Sequence, residues 1–397
     1  MHAVKQAAGG PTRFDGWVSG AYCANVAECL QAESDRHSWR ACKPFLLAAF
    51  LPLATFVFVL TGPHPWYGAL PWIALPYAMA WFEGRSLVFD RSPSRFRARG
   101  RLFDLLLYAL AGAYFANHWL LLRMTAMGGF LRFDTAAAFA FFGVYSAFSG
   151  IVIGHELIHR KGRVEHFIGR LVCCTLLYEH FYTEHLRGHH VRACTEEDPA
   201  TARFGETFSQ YFRRSVPGQW KSAFELEKRR VKARGVRDWR ILRSRVVRGA
   251  AFQLLLLGAI LLAFGPAALG VFVLQAFSAV RYLEGVNYFQ HWGLHRPGLH
   301  QRTVDSWETP SSFTHFAMLA LSCHAEHHLH ASRPYQGLQL AMDSPRLARG
   351  YLGTLLLVFH ANRKLMSEMT AELRSRRLGP FMRAAIATPP SEQFAHA

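Results

Sequence analysis

The sequence predicts an all-α, polytopic membrane protein with about six transmembrane helices and a helical, histidine-rich region on the cytoplasmic side. Three observations predict it. Apolar residues make up 51% of the 397 positions and charged residues 18%, less than the roughly one quarter usual in a soluble domain. The apolar residues gather into six runs, each near the length of about 20 residues that crosses a bilayer. The histidines are concentrated: of 21 in the chain, 15 lie between His155 and His330.

Residues 1–44 are mixed and polar and read as a cytoplasmic segment. One integral membrane domain covers 45–365, and 366–397 form a basic cytoplasmic tail. The first run, 45–61, is stopped by Gly62-Pro63-His64-Pro65, because proline lacks the N–H that continues a helix. The second, 66–82, follows so closely that the two must form a helical hairpin, although Pro71 and Pro76 weaken it. The third and fourth runs are 102–122 and 133–153. The fifth, 246–264, breaks at Gly265-Pro266, and the sixth continues over 267–288. Two apolar pieces are too short to span. Residues 313–323 are expected to form a buried helix, and 351–359 an amphipathic helix at the interface.

Lys and Arg number 45 against 27 acids, a formal charge of +18. The basic residues cluster in two loops. One holds Arg85, Arg91, Arg95, Arg97, Arg99 and Arg101; the other holds Lys228, Arg229, Arg230, Lys232 and Arg234. The positive-inside rule places both loops and both termini in the cytoplasm. The turns after the first and third runs carry little charge, with Arg123 and Arg132 flanking the latter. Nucleic-acid binding is the competing explanation of the charge, and the long apolar runs have no use in it. The seven cysteines include no C-x-x-C pair, which excludes a disulfide framework and a cysteine-type zinc site. No signal-peptide pattern opens the chain, so insertion rests on the internal runs.

The spacing of the histidines points to metal binding. His155 and His159 are i and i+4 in His-Glu-Leu-Ile-His. His185 and His189 repeat that spacing in Glu184-His-Leu-Arg-Gly-His-His, with His190 adjoining. His324, His327 and His328 stand at i, i+3 and i+4, and His291 ends the sixth run. Residues three and four apart share one helix face, so each cluster can aim at least two imidazoles at one point. Nine candidates exceed the four ligands of one tetrahedral zinc and suffice for two metals. Imidazole suits iron, copper, zinc and nickel. Glu156, Glu184 and Glu326 adjoin the ligands and are expected to orient the rings by accepting the second N–H. The first cluster also matches the zinc-protease pattern H-E-x-x-H, which leaves the other histidines and the apolar runs unexplained. His64, His118, His166, His300, His315 and His360 read as ordinary hydrogen-bonded residues, and His180 as a possible neighbour of the site.

At these motifs the sequence resembles the membrane-bound alkane 1-monooxygenases, within the wider membrane fatty-acid desaturase and hydroxylase superfamily. The matching stretches are His155-Glu-Leu-Ile-His159, Glu184-His-Leu-Arg-Gly-His-His190, Asn287-Tyr-Phe-Gln-His-Trp-Gly293 and His324-Ala-Glu-His-His328. Asp198-Pro-Ala-Thr-Ala-Arg203 and Arg333-Pro-Tyr-Gln336 add to the likeness, which covers roughly residues 45–365. The resemblance implies a di-iron centre: two non-haem irons held by the nine histidines, with Asn287, Gln290 and Asp198 beside them. It implies hydroxylation of the terminal carbon of alkanes with dioxygen, in the bacterial inner membrane. Electrons would come from a rubredoxin or ferredoxin through an NAD(P)H reductase. Two departures stand out. Gln290 replaces the family's Glu before the single histidine, and Trp292 replaces its Tyr after it. Aryl-methyl hydroxylation, desaturation of acyl chains and decarboxylation to terminal alkenes are the related reactions.

The residues agree with an external electron source. No G-x-G-x-x-G opens a βαβ unit, no P-loop is present, and no cysteine pattern suits an iron–sulfur cluster. A basic cytoplasmic surface would attract an acidic carrier. An apolar chain would reach the site sideways from the membrane lipid, between the first four runs. A metal transporter is the remote alternative. It would line its path with ionisable residues inside the membrane, whereas the clustered histidines gather at helix ends.

Overall fold

The computed structural model describes residues 39–88, 100–128, 132–233, 244–298 and 300–382. Most of the segment 1–44, Arg91, Arg95, Arg97, Arg99, Arg234 and the tail beyond residue 382 lie outside the described residues. Helices dominate, and among the described residues the only β-pairings are two isolated bridges. This is the all-α architecture that the patterning predicts.

Four helices are long and apolar enough to cross a membrane: α1 (Trp39–Thr61), α3 (Arg101–Gly128), α4 (Phe133–His159) and α8 (Arg245–His291). Between the first two lies α2 (Trp66–Glu83), with Pro71 and Pro76 inside it. The helix α8 is 47 residues long and is broken at Gly265, whose φ of 83° is non-helical, a conformation that glycine adopts freely. Pro266 follows and cannot donate back across the break.

Hydrogen bonds show that α8 folds back there. Arg245 N donates to Glu227 and Gln219 donates to Glu284, each at 2.9 Å. Those partners sit on α7 (Phe208–Lys232) about 12 Å apart, at the helical rise of about 1.5 Å per residue. On a straight helix positions 245 and 284 would be about 58 Å apart. The two arms therefore lie side by side, as the runs 246–264 and 267–288 anticipate.

The helix α4 is the axis of the bundle. Of its most apolar window 83% is buried, against 17% for α8. Large apolar side chains on the outer helices face outward, Leu53, Leu60 and Leu262 among them, as a lipid-facing surface requires. Two π-helical stretches, Ala138–Phe142 and Ser146–Ile151, interrupt α4; such bulges are frequent at functional sites. At the end away from His155, His64 and Asp134 are joined at 2.7 Å.

The remaining helices assemble at the other end of the bundle. They are α5 (Arg163–Thr175), α6 (residues 181–192), α7, α9 (Ser312–Ala317), α10 (His324–Leu329), α11 (Tyr351–His360) and α12 (Asn362–Arg376). The helix α7 begins at a capping box in which Thr207 and Gln210 bond reciprocally, satisfying two otherwise free N–H groups. The expected buried helix at 313–323 is shorter than predicted, ending at Ala317. The five described cysteines are free and buried.

Candidate metal centre

Four elements deliver the nine histidines. His155 and His159 close α4, which stops at Arg160, where the backbone turns extended. His185, His189 and His190 come from α6. His291 is the last residue of α8, and α10 carries His324, His327 and His328. The start of α10 is held by Glu308, which accepts from Ala325 N at 3.1 Å and pairs with Arg346 at 2.8 Å. Burial pushes the Glu308 carboxyl up to about 7, against the pull of Arg346.

The rings converge in two sets. His155, His159, His185, His190 and His327 form one; His189, His291, His324 and His328 form the other. Within each set the ligand nitrogens all lie within 4.8 Å of one another. In the first, His185 Nε2 is 3.0 Å from His159 Nε2 and 3.1 Å from His190 Nε2, and His327 is 3.1 Å from His190. In the second, His324 Nε2 is 3.2 Å from His291 and 3.0 Å from His328. The sets abut: the His190 and His328 rings stack with centroids 4.5 Å apart.

The expected pairing of His185 with His189 is corrected by this arrangement. Residues His185–His189 form a π-helical turn, which brings i and i+5 together rather than i and i+4. His190 therefore joins His185, and His189 turns to the other set. In α10 an ordinary helical turn keeps His324 with His328, while His327 faces the first set.

This donor geometry fits metal ions. Around an ion with bonds of about 2.1 Å, neighbouring ligand atoms at right angles are about 3.0 Å apart. His155 Nε2 is buried without a hydrogen-bond partner among the described residues, as an atom aimed at a metal would be. Burial, reinforced by the other histidines, holds His185, His190, His324, His327 and His328 well below the usual imidazole range. They are neutral at pH 7, the form that ligates. Five donors in the first set exceed what tetrahedral zinc takes.

The acids divide differently from expectation. Asp198 accepts from His189 Nδ1 at 2.9 Å and from Thr201 at 2.7 Å. Burial raises this carboxyl, but the contacts with His189 and Thr201 outweigh it and keep Asp198 below the ordinary range. None of the three adjoining glutamates accepts from an imidazole among the described contacts. Glu156 pairs with Arg160 at 2.7 Å, Glu184 with Arg192 at 2.9 Å, and Glu326 with Arg333 and the Gln339 amide. The reason is angular: successive helix residues point about 100° apart, so the neighbour of a ligand faces elsewhere. Asn287 and Gln290 also point away. Asn287 donates to Glu284 at 3.3 Å, and Gln290 donates to the Tyr351 hydroxyl at 2.8 Å.

Several supporting groups carried no signal in the sequence. The Asp305 carbonyl accepts from His291 Nδ1 at 3.1 Å and from Cys194 Sγ at 2.9 Å. Glu284 is fully buried and receives Tyr211, Ser215 and Gln219, each at 2.9 Å. A buried carboxylate is expensive unless donors surround it, and these tie α7 to α8. His180 is buried against Trp220 and Tyr178 and belongs to neither set.

Residues 133–356 match the family model for fatty acid desaturases, and that stretch contains all nine histidines. The chain belongs to the fatty acid desaturase family. Within it, the chain is 35% identical to an alkane 1-monooxygenase of Acinetobacter baylyi, over 53% of each chain. It is 37% identical to alkane 1-monooxygenase 1 of Pseudomonas aeruginosa, over 52% of this chain and 56% of that one. A xylene/toluene monooxygenase hydroxylase component of Pseudomonas putida is 26% identical over 51% of this chain and 55% of its own. This desaturase-family chain thus spans about half the length of the curated relatives it matches.

Proposed function

We propose that this chain is an oxygen-dependent di-iron monooxygenase that hydroxylates the terminal carbon of alkanes or related apolar chains. The observation that carries the reading is the convergence of nine imidazoles in two adjoining sets at one end of an apolar helix bundle. Two irons are the proposed cofactors. His155, His159, His185, His190 and His327 would hold one, and His189, His291, His324 and His328 the other. When bound, iron supplies the dioxygen and one-electron chemistry that side chains lack. The alkane 1-monooxygenases among the relatives support the choice of reaction.

The chain's own residues position and shield. Asp198 and the Asp305 carbonyl accept the Nδ1–H of His189 and His291, which leaves each Nε2 lone pair facing inward and fixes the ring. An apolar crevice of only about 10 Å³ lies between α1, α2, α4 and α9, lined by Leu51, Met79, Phe148, Phe313 and Met318 among others. We assign six crossings, with α2 and both arms of α8 counted, in the bacterial inner membrane. Lys228, Arg229 and Arg230 on α7 support a cytoplasmic location for the histidine-bearing end. A rubredoxin- or ferredoxin-type carrier with its NAD(P)H reductase supplies electrons there.

The test is metal analysis of purified protein together with product identification under labelled dioxygen. An alkane and the matching fatty acid are offered in parallel, with carrier and reductase present. The expected result is about two irons per chain and a primary alcohol from the alkane carrying one labelled oxygen. A terminal alkene from the acid, with nothing from the alkane, replaces the hydroxylase reading with decarboxylation. An alkene of unchanged length replaces it with desaturation.

A further inference from the structure

A groove of about 560 Å³ opens between the end of α2 and the start of α11. One wall carries Tyr77, Trp81 and Arg85; the other carries Arg349, Leu356 and Leu357. We propose that it binds the headgroup of an anionic phospholipid, with the acyl chains lying along the two leucines.

The argument starts from Arg85. Its guanidinium lies over the Trp81 ring, 3.7 Å from the centroid, and donates to the Trp81 carbonyl at 3.3 Å. Among the described residues it has no acidic partner. A guanidinium over an indole that gives one N–H to a carbonyl retains further N–H donors, and a guanidinium can take a phosphate in two parallel hydrogen bonds. Arg349 brings a second guanidinium to the groove, shared with Glu368. The one acid on the lining, Glu83, does not cancel this charge. It is buried behind the groove, where Thr314 and the Gly353 amide, at 2.8 Å, occupy its carboxylate.

The setting selects a lipid over a free anion. Trp81 and Tyr77 are 61% and 50% exposed, and both belong to the aromatic types that sit at headgroup level. They stand at the end of an apolar helix, with Leu356 and Leu357 continuing the apolar wall. Basic pockets between helices at a membrane surface bind anionic headgroups. A zwitterionic headgroup brings its own cation and gains less from Arg85.

The experiment is native mass spectrometry of the full chain in detergent, with phosphatidylglycerol and phosphatidylcholine of identical acyl chains supplied together. Palmitate is added in a separate arm. The wild type should retain phosphatidylglycerol preferentially. Arg85→Gln should reduce that preference by about fivefold, the weight of one basic residue at an anionic surface. Arg85→Lys keeps the charge but not the two-pronged donor and should restore part of the preference, showing that the loss in Arg85→Gln is not misfolding, and Lys228→Gln on α7 should not change it. Equal retention of the two lipids, an unchanged preference in Arg85→Gln, or displacement of phosphatidylglycerol by equimolar palmitate overturns the proposal.

Discussion

His185 faces His190, five residues on, with their Nε2 atoms 3.1 Å apart, while His189 turns to a different set of ligands. The π-helical turn His185–His189 produces this, and Gly188 permits it. A side chain at 188 would meet the Glu184 carboxylate and the Arg192 guanidinium at 2.5 Å, the ion pair that brackets the turn. One extra backbone atom group per turn thus sends two adjacent histidines to two places.

The allocation predicts that His190→Ala and His189→Ala fail differently. Each should lower iron from about two per chain to about one, since each strips a ligand from one set only. Iron quantified in the double variant His189→Ala/His190→Ala should approach zero. If either single variant loses both irons, the two sets act as one unit and the division is wrong.

Asp198→Asn should be the most damaging change at a residue that touches no proposed ion. It removes the acceptor that orients His189, and losses of such partners cost about 10–100-fold in metal affinity or activity. Glu326→Gln should cost far less, because Glu326 bonds Arg333 and not an imidazole. Iron retention against a competing chelator measures both.

Gln290→Glu should leave iron content and product ratio as in the wild type. The sequence places Gln290 beside a ligand and suggests a role at the metal, but its amide donates to Tyr351. The change would instead convert that donor into an acceptor in a buried site, which costs about 1–3 kcal/mol. A lower melting temperature with an unchanged product profile is the expected outcome, read by thermal unfolding in detergent and chromatography.

Topology follows from which ends share a face. Gly128 packs near Pro63, and both lie at the opposite end of α4 from His155. Accessibility tags at 64 and 128 should therefore report outside, and tags at 233 and 377 the cytoplasm. A cytoplasmic tag at 64 would overturn both the orientation and the six crossings.

Much of this site is legible in the sequence, for physical reasons. Apolar runs near bilayer length imply helices, because lipid leaves backbone groups no other partner. Gly265-Pro266 marks the fold-back, since one residue adopts positive φ and the next cannot donate. The three histidine clusters and His291 mark a candidate metal site by number and local spacing alone. What the tertiary structure decided is how those ligands divide and what holds them. Spacing of i and i+4 means one face only if the turn is α-helical, and His185–His189 is π-helical. Glu156, Glu184 and Glu326 adjoin ligands in the chain yet point about 100° away from them. The groups that do orient rings, Asp198 and the Asp305 carbonyl, reach their imidazoles only through the packing of loops that no local pattern records.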